Sequence, residues 1–436
     1  MSQDQVVTGD TSGFLDELRW RGFLEAVTSD GLDAYLAAER RTMYVGFDPT
    51  ADSLHLGSLI PVMALAHAQR HGHRPLVLVG GGTGLIGDPS GKSTERTLLT
   101  KEKSEENGAA VRVQLGRFFD LSSDARALML NNIEWLAPLN LVDFLRDIGK
   151  HFSVNEMIKR DSVRTRLEER EHGISFTEFS YMLLQAYDFL YLFQRHDCTI
   201  QMGGSDQWGN IVAGKELIRR VLGSRSEGIT FPLLTTSSGK KFGKTEEGAV
   251  WLDARRTSPY QMYQYWLQTA DADAVRYLKL FTFLGRERIA ALELEVAQRP
   301  AEREAQRVLA AECTGMVHGM ETVRAVEAAS RILFSSSSEV PQPETVATLA
   351  REVPVTEMTA ADLEAAIPLV DLLVRTRLAA SKGEARKLIE GGGVYLNNER
   401  QNQLHKTVSP QDLKWPGAIL LRAGKKNYHL VRVKSQ

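Results

Sequence analysis

Cysteine is almost missing from this chain. Cys198 and Cys313 are the only two in 436 residues, and their separation matches neither a zinc nor a redox spacing. That excludes a disulfide-stapled fold and a cysteine-built metal centre. Long apolar runs are missing too. None approaches the ~18 residues a membrane-spanning helix needs, so an integral membrane protein is excluded. The opening stretch, MSQDQVVTGDTSGFLDELRW, lacks the basic-then-apolar layout of a secretory leader. A reducing cytoplasm is the expected location. Net charge of one sign is nearly absent, at −2 overall, while 43% of residues are hydrophobic and 25% charged. These proportions are ordinary for globular protein and argue against wholesale disorder or a fibrous chain. At roughly 100–200 residues per domain, the length suits two to four domains.

The near-neutral total hides an asymmetry. Residues 369–436 hold thirteen Lys and Arg against five Asp and Glu, a net +8, which leaves the remainder at −10. A basic terminal module on an acidic body suits a polyanion that docks at one end.

Between residues 41 and 255 the pattern alternates strand and helix. Apolar runs at 43–47, 75–79 and 198–202 each end in glycine-rich or Asp-containing turns followed by helical periodicity. This is the pattern of a parallel α/β sheet with ligands at the carboxyl ends of its strands. Residues 256–333 lack strand signals, are rich in Ala, Leu, Glu and Arg, and read as helical. FSSSSEVPQPET, from Phe334 to Thr345, is Ser- and Pro-rich and marks a linker region over 334–368. Beyond it, a short helical pair ends at Gly391-Gly392-Gly393, and β-like runs follow. The expected organisation is α/β: a Rossmann-like parallel-sheet domain over 1–255, an all-α domain over 256–333, a linker region, and a small α+β domain over 369–436.

Two motifs mislead. Gly82-x-Gly84-x-x-Gly87 satisfies the dinucleotide fingerprint, but it follows the second strong strand of the sheet rather than the first. Gly87-Asp-Pro-Ser-Gly91-Lys92-Ser93 imitates a phosphate loop with three residues between its glycines where four are required. Pro89 also removes an N–H from a loop whose purpose is to offer them.

Three other segments point to one site. In GFDPTADSLHLGS a strand ends at Phe47, Asp48-Pro49 turns the chain, and a helix is expected to begin near Ser53. His55 and Gly57 would lie in its first turn, where free N–H groups and the positive dipole end attract phosphate. In SSGKKFGKTEEG, Lys241 and Lys244 sit in a glycine-flanked loop suited to closing on a leaving pyrophosphate. In ISFTEFSYMLLQAYDFLYLF, Ser175 and Glu178 suggest a capping box. Tyr181, Gln185 and Asp188 then share one face of a helix that is otherwise apolar, and such a polar stripe needs partners, internal or bound.

HLGS and KFGKT resemble the two signatures of class I aminoacyl-tRNA synthetases. GFDPTADSLHLG, VGGGTGLIGDPSGKS, LRDIGKHFSVN, ISFTEFSYMLLQAYD, QMGGSDQWGN and KKFGKT together resemble the bacterial tyrosyl branch of that family. The likeness runs from about Leu15 to the C-terminus, and residues 370–434 resemble its S4-type RNA-binding domain. What it implies is a tyrosine–tRNA ligase that makes tyrosyl-adenylate and pyrophosphate from L-tyrosine and ATP, then passes tyrosine to the terminal adenosine of tRNA(Tyr). It implies Tyr44 and Asp188 at the substrate's phenol, and Tyr181, Gln185 and Asp88 at its ammonium group. Thr50 and His55 would meet the γ-phosphate, with Lys92, Lys241, Lys244 and Thr245 around the pyrophosphate. Gly46, Asp48, Gly57, Ser58, Gly204, Asp206 and Gln207 would line the ATP side. Mg²⁺ would accompany ATP on its phosphates, with no tightly bound protein metal. Ser381, Arg386, Lys387, Lys425 and Lys426 are the candidates for tRNA contact. The family is homodimeric through its catalytic domain, where Phe176 and Phe179 are candidates, and no membrane partner is implied. The chain departs from the pattern at Ser58, where the first signature usually ends in His, at KFGKT in place of KMSKS, and at Val45, where some relatives carry Cys.

Overall fold

The computed structural model describes residues 13–90, 98–122, 126–168, 173–246, 248–334, 340–424 and 427–434. Its larger sheet contains β1 (Ala26–Val27), β2 (Thr42–Phe47), β3 (Arg74–Val79), β4 (Leu128–Asn131), β5 (Cys198–Gly204) and β6 (Glu227–Phe231). The order across the sheet is β1-β6-β5-β2-β3-β4. All neighbours are parallel except β1 with β6. Central strands of a parallel sheet are covered on both faces, and β2, β3 and β6 accordingly read TMYVGF, RPLVLV and EGITF with almost every side chain buried. The chain runs outward from β2 through β3 to β4, then returns to the other side of β2 for β5. That reversal opens a crevice at the carboxyl ends of β2 and β5, where α/β sheets bind ligands.

One helix, Phe176–His196, crosses this crevice. Ser175 caps it by accepting the Glu178 N–H at 3.2 Å. The expected reciprocal half of a capping box is not made, because Glu178 is buried and its carboxylate takes Arg166 at 2.9 Å instead. A buried charge needs its counter-charge more than a helix end needs a second cap, since losing one partner of such a pair costs about 3–5 kcal/mol. Met182, Ala186, Phe189 and Leu190 pack this helix into a core with Tyr44, Leu76, Leu78 and Leu217.

The chain divides into two compact units, Met1–Thr257 with Leu267–Leu309, and Ser258–Trp266 with Ala310–Gln436. From 259 to 334 the elements are helical throughout: Pro259–Leu267, Asp271–Phe281, Arg286–Gln298, Glu304–His318 and Met320–Phe334, with one 3-10 turn.

The later strands are β7 (Lys244–Thr245), β8 (Gly248–Ala249), β9 (Val355–Met358), β10 (Ile367–Pro368), β11 (Val394–Leu396), β12 (Glu399–Gln401), β13 (Thr407–Val408), β14 (Ala418–Ala423) and β15 (Asn427–Val433). A five-stranded sheet runs β12-β11-β14-β15-β9. It packs on the helices Leu369–Arg375 and Lys382–Glu390 through Leu372, Leu373, Ala385, Ile389, Ile419 and Val431.

The linker expected over 334–368 is corrected by its secondary structure. Pro343 starts a helix to Glu352, a position where its missing N–H costs nothing. Val355–Met358 adds β9 as a parallel edge strand on β15, and a Thr359–Asp362 capping box opens a further helical turn. The Ser-rich stretch that suggested a linker, residues 335–339, lies outside the described residues. Among the described residues no helix is long and apolar enough to cross a membrane.

Candidate active site

A cavity of about 680 Å³ opens at the carboxyl ends of β2 and β5. Its inner wall is polar but buried. Asp188 is 2% exposed, and each of its carboxylate oxygens accepts one donor, Trp135 Nε1 at 2.7 Å and Asn132 Nδ2 at 2.9 Å. Burial pushes its pKa up to about 7 against the pull of those two donors. Tyr44 is 1% exposed, and its phenol lies well above the usual range through burial and the nearby Asp188 charge.

Among the described residues the Tyr44 hydroxyl, Gln185 Oε1 and Gln201 Oε1 are buried without a hydrogen-bond partner, and all three residues line the cavity. Buried polar atoms are nearly always paired, and an unpaired one costs about 1–3 kcal/mol. Three on a single wall mark a place built for a polar ligand.

Next to this wall the carboxylates are tied down. Asp48 accepts from Thr83 Oγ1 at 2.7 Å and from the Tyr181 hydroxyl at 3.0 Å. Asp88 accepts the Ser90 N–H at 2.8 Å and Gln207 Nε2 at 2.7 Å, while burial raises its pKa. The glycines after β3 make this packing possible. A Cβ on Gly80 would fall 2.0 Å from Asp48 Oδ1. The apparent dinucleotide fingerprint therefore sits in a stretch that serves close packing on the Asp48 turn.

The mouth is different. His55, Lys241 and Lys244 line it and are exposed, and Thr50, Gly57 and Ser58 line it beside them. The helix expected from Ser53 begins later, with a 3-10 turn at Leu56–Ser58 leading into Leu59–Arg70. His55 is extended, at φ −118° and ψ 170°, because the chain around it pairs with residues 250–252. The lysine loop is also more ordered than its glycines suggested. β7 and β8 form a two-rung hairpin, and Phe242, between the two lysines, is buried against Tyr277 and Phe281 with ring centroids at 5.0 and 4.9 Å.

Gly46, Gly204, Asp206 and Gln207 line the cavity as well, so the structure brings together sixteen of the eighteen residues expected around tyrosine and ATP. Thr245 is not among them. It follows Lys244 on a strand, where consecutive side chains point to opposite faces, and its hydroxyl donates to the Gly248 carbonyl at 3.3 Å. Lys92 lies outside the described residues. Among the described residues no group of three or more His, Cys, Asp or Glu side chains could hold a metal ion.

Sequence reasoning missed Asn132, Trp135, Thr83, Gln201 and Trp251. The first two follow β4 as NNIEW, and an asparagine pair ending a strand was the available signal. Gln201 was visible as the lone amide within an apolar strand run.

In the second unit, Ser381 caps the helix Lys382–Glu390, and Arg386 and Lys387 are exposed opposite the buried Ala385 and Ile389. Lys425 and Lys426 lie outside the described residues.

A parallel sheet with a strand-order reversal, a buried polar slot and a cationic mouth defines a Rossmann-like protein built to hold a polar ligand beside an anionic one. A family model described as tRNA synthetases class I (W and Y) matches residues 37–335, and one described as a tyrosine–tRNA ligase SYY-like C-terminal domain matches 345–431. The chain is 52% identical to the tyrosine–tRNA ligase of Roseiflexus castenholzii over 96% of its own length and 99% of the relative's. It is 48% identical to that of Bacillus caldotenax over the same shares. A C-terminally truncated mitochondrial tyrosyl-tRNA synthetase from Aspergillus nidulans superposes with a TM-score of 0.67 at 34% identity, covering 74% of this chain and 94% of that one. The chain belongs to the class I tRNA synthetases of the tryptophan and tyrosine type.

Proposed function

We propose that this chain ligates tyrosine to tRNA(Tyr). In the first step an oxygen of tyrosine's carboxylate attacks the α-phosphorus of ATP. The bond from that phosphorus to the bridging oxygen breaks, tyrosyl-adenylate forms and pyrophosphate leaves; Mg²⁺ carried by ATP would offset part of the phosphate charge. In the second step a ribose hydroxyl of the terminal tRNA adenosine attacks the activated carbonyl and releases AMP. No covalent enzyme intermediate is needed, so the protein's part is positioning and charge stabilisation.

The observation that carries the reading is the unpartnered Tyr44 hydroxyl beside the doubly held Asp188 carboxylate on the inner wall. A phenol offers one donor and one acceptor, which suits that pair. Tyr181, Gln185 and Asp88 would hold the ammonium group, and the Gln185 oxygen is short of a donor. Gly46, Asp48, Gly204, Asp206 and Gln207 would receive the adenylate's sugar and base. His55, Thr50, Lys241 and Lys244, with Lys92, would meet the phosphates.

Arg386, Lys387 and the N-terminal end of their helix would contact tRNA phosphates, which supply affinity without sequence information. Residues 1–255 would form the catalytic domain, 256–333 a helical domain beside the anticodon stem, and the C-terminal sheet the RNA-binding module. A second copy of the chain would cover exposed apolar side chains of the first unit, where Leu141, Val142 and Phe176 are 69%, 71% and 78% exposed.

Tyrosine-dependent exchange of labelled pyrophosphate into ATP by the purified protein is the deciding measurement. Exchange driven by tryptophan, or none with any amino acid, would overturn the reading.

A further inference from the structure

The two signature segments are bound into one piece by residues 250–252. Their backbone runs antiparallel to 54–56: the Leu56 N–H donates to the Val250 carbonyl at 2.9 Å, and the Leu252 N–H to the Leu54 carbonyl at 2.8 Å. His55 and Trp251 stand opposite each other in this short ladder. Closer to the lysines, the Val250 N–H donates to the Gly243 carbonyl at 3.0 Å. Gly243, at φ 73°, lies so near the first segment that a Cβ there would sit 3.2 Å from the Gly57 nitrogen. The stem of the lysine hairpin thus rests on the chain that carries His55.

The His55 ring occupies the space that a side chain at Gly57 would fill, and it packs against Trp251. A Cβ on Gly57 would fall 2.9 Å from its Cε1 and 3.0 Å from its Nδ1. Trp251 meets it edge-to-face, with centroids 6.0 Å apart and planes at 69°. Trp251 is held in turn: its backbone N–H donates to Thr257 Oγ1 at 2.9 Å, and Arg256 lies over the indole at 4.5 Å while pairing with Asp52 at 2.5 Å. An exposed histidine on extended backbone has several staggered rotamers open to it, and only its neighbours select one. Among those neighbours are an indole on an anchored backbone and a glycine that leaves room.

We propose that Trp251 is a positioning residue for His55, fixing the imidazole toward the cavity. The inference rests on the reading that these groups meet the phosphates of ATP. Misplacing a reacting group by about 1 Å can cost on the order of 100-fold in rate. Loss of the indole wall is expected to cost on the order of tenfold.

The test is a double-mutant cycle of Trp251→Ala and His55→Ala, read by tyrosine-dependent pyrophosphate exchange, with tyrosine affinity measured by equilibrium dialysis. Trp251→Ala should lower kcat about tenfold while tyrosine affinity is kept, and should lower it no further in the His55→Ala background. Trp251→Phe, which keeps an aromatic edge, should recover most of the rate. Independent, multiplying losses would mean that Trp251 acts on ATP or on the fold directly, and would overturn the proposal. If His55→Ala leaves exchange unchanged, the assigned role of His55 fails instead. Should Trp251→Ala not fold, Arg256→Gln carries the same cycle: a two- to threefold loss that disappears without His55 supports the proposal, and one that persists refutes it.

Discussion

The inner wall and the mouth of the one cavity are built on opposite principles. On the wall, Asp188, Asp48 and Asp88 are locked by donors from Asn132, Trp135, Thr83, Tyr181 and Gln207, all on strand ends or helices. At the mouth, His55, Lys241 and Lys244 are exposed and sit on short hairpin and turn segments. A site that must tell one ring from another needs buried groups that suffer when left unpaired. A site that must neutralise charge as a bond breaks needs cations that arrive with the transition state. On the proposed reading, recognition falls to buried, fully held groups and charge stabilisation to exposed ones.

Asp188→Asn attacks the first half of that division and carries the largest expected effect. It replaces an anionic acceptor and sets an amide against the Asn132 and Trp135 donors. At about 1–3 kcal/mol per buried group left unsatisfied, kcat/KM for tyrosine should fall on the order of 1000-fold in the exchange assay. A fall confined to kcat would erase the distinction between wall and mouth.

Lys244→Ala attacks the other half. Adenylate formation should slow on the order of 100-fold, the scale of losing one charge-stabilising group, while the dissociation constant of tyrosine stays within about twofold. Equal losses in both quantities would show that the lysine binds ground and transition states alike.

Acidity separates the regions again. With the Asp188 pKa pushed up to about 7, the carboxylate proposed to accept the phenol is mostly protonated at pH 6 and mostly ionised at pH 8. Tyrosine should bind about tenfold more weakly at pH 6 than at pH 8. Trp135→Phe removes a donor to the ionised form, so the midpoint of that curve should move to higher pH. The same burial works against the unliganded fold as pH rises. Between the ordinary carboxyl range and about 7 the folded state keeps a proton that the unfolded chain has released, so this group's contribution to stability falls with increasing pH. Flat tyrosine binding from pH 6 to 8 would remove Asp188 from the contact.

The smallest effect on activation is expected from the region farthest along the chain. Ending the chain before Pro343 should leave pyrophosphate exchange nearly unchanged while weakening tRNA charging and flattening its salt dependence. The cut falls there because β9 pairs with β15, and a chain ending at 368 would leave that edge strand without its neighbour.

Much of the site was legible because its elements announce themselves locally. Tyr181, Gln185 and Asp188 share a helix face by spacing alone, while Asp48 follows and Gly204 ends runs of strand length. Trp251 carried no such mark. Its value comes from lying opposite His55 across almost 200 residues of chain, and no local periodicity encodes a pairing of that range. Glu178 misled for a related reason: a capping box is a local expectation, and Arg166 offered a stronger long-range partner. The linker reading failed because serine and proline content describes a segment's own preferences, whereas β9 owes its order to β15.

By itself the sequence determined the α/β alternation, the glycine turns after each strand and the residue types available to the site, since these follow from short-range sterics and the burial of apolar side chains. Only the tertiary structure decided which polar atoms are satisfied and which are left open. Satisfaction depends on what other segments bring within 3 Å, and among the described residues Tyr44, Gln185 and Gln201 are left open on the cavity wall, where a ligand can complete them.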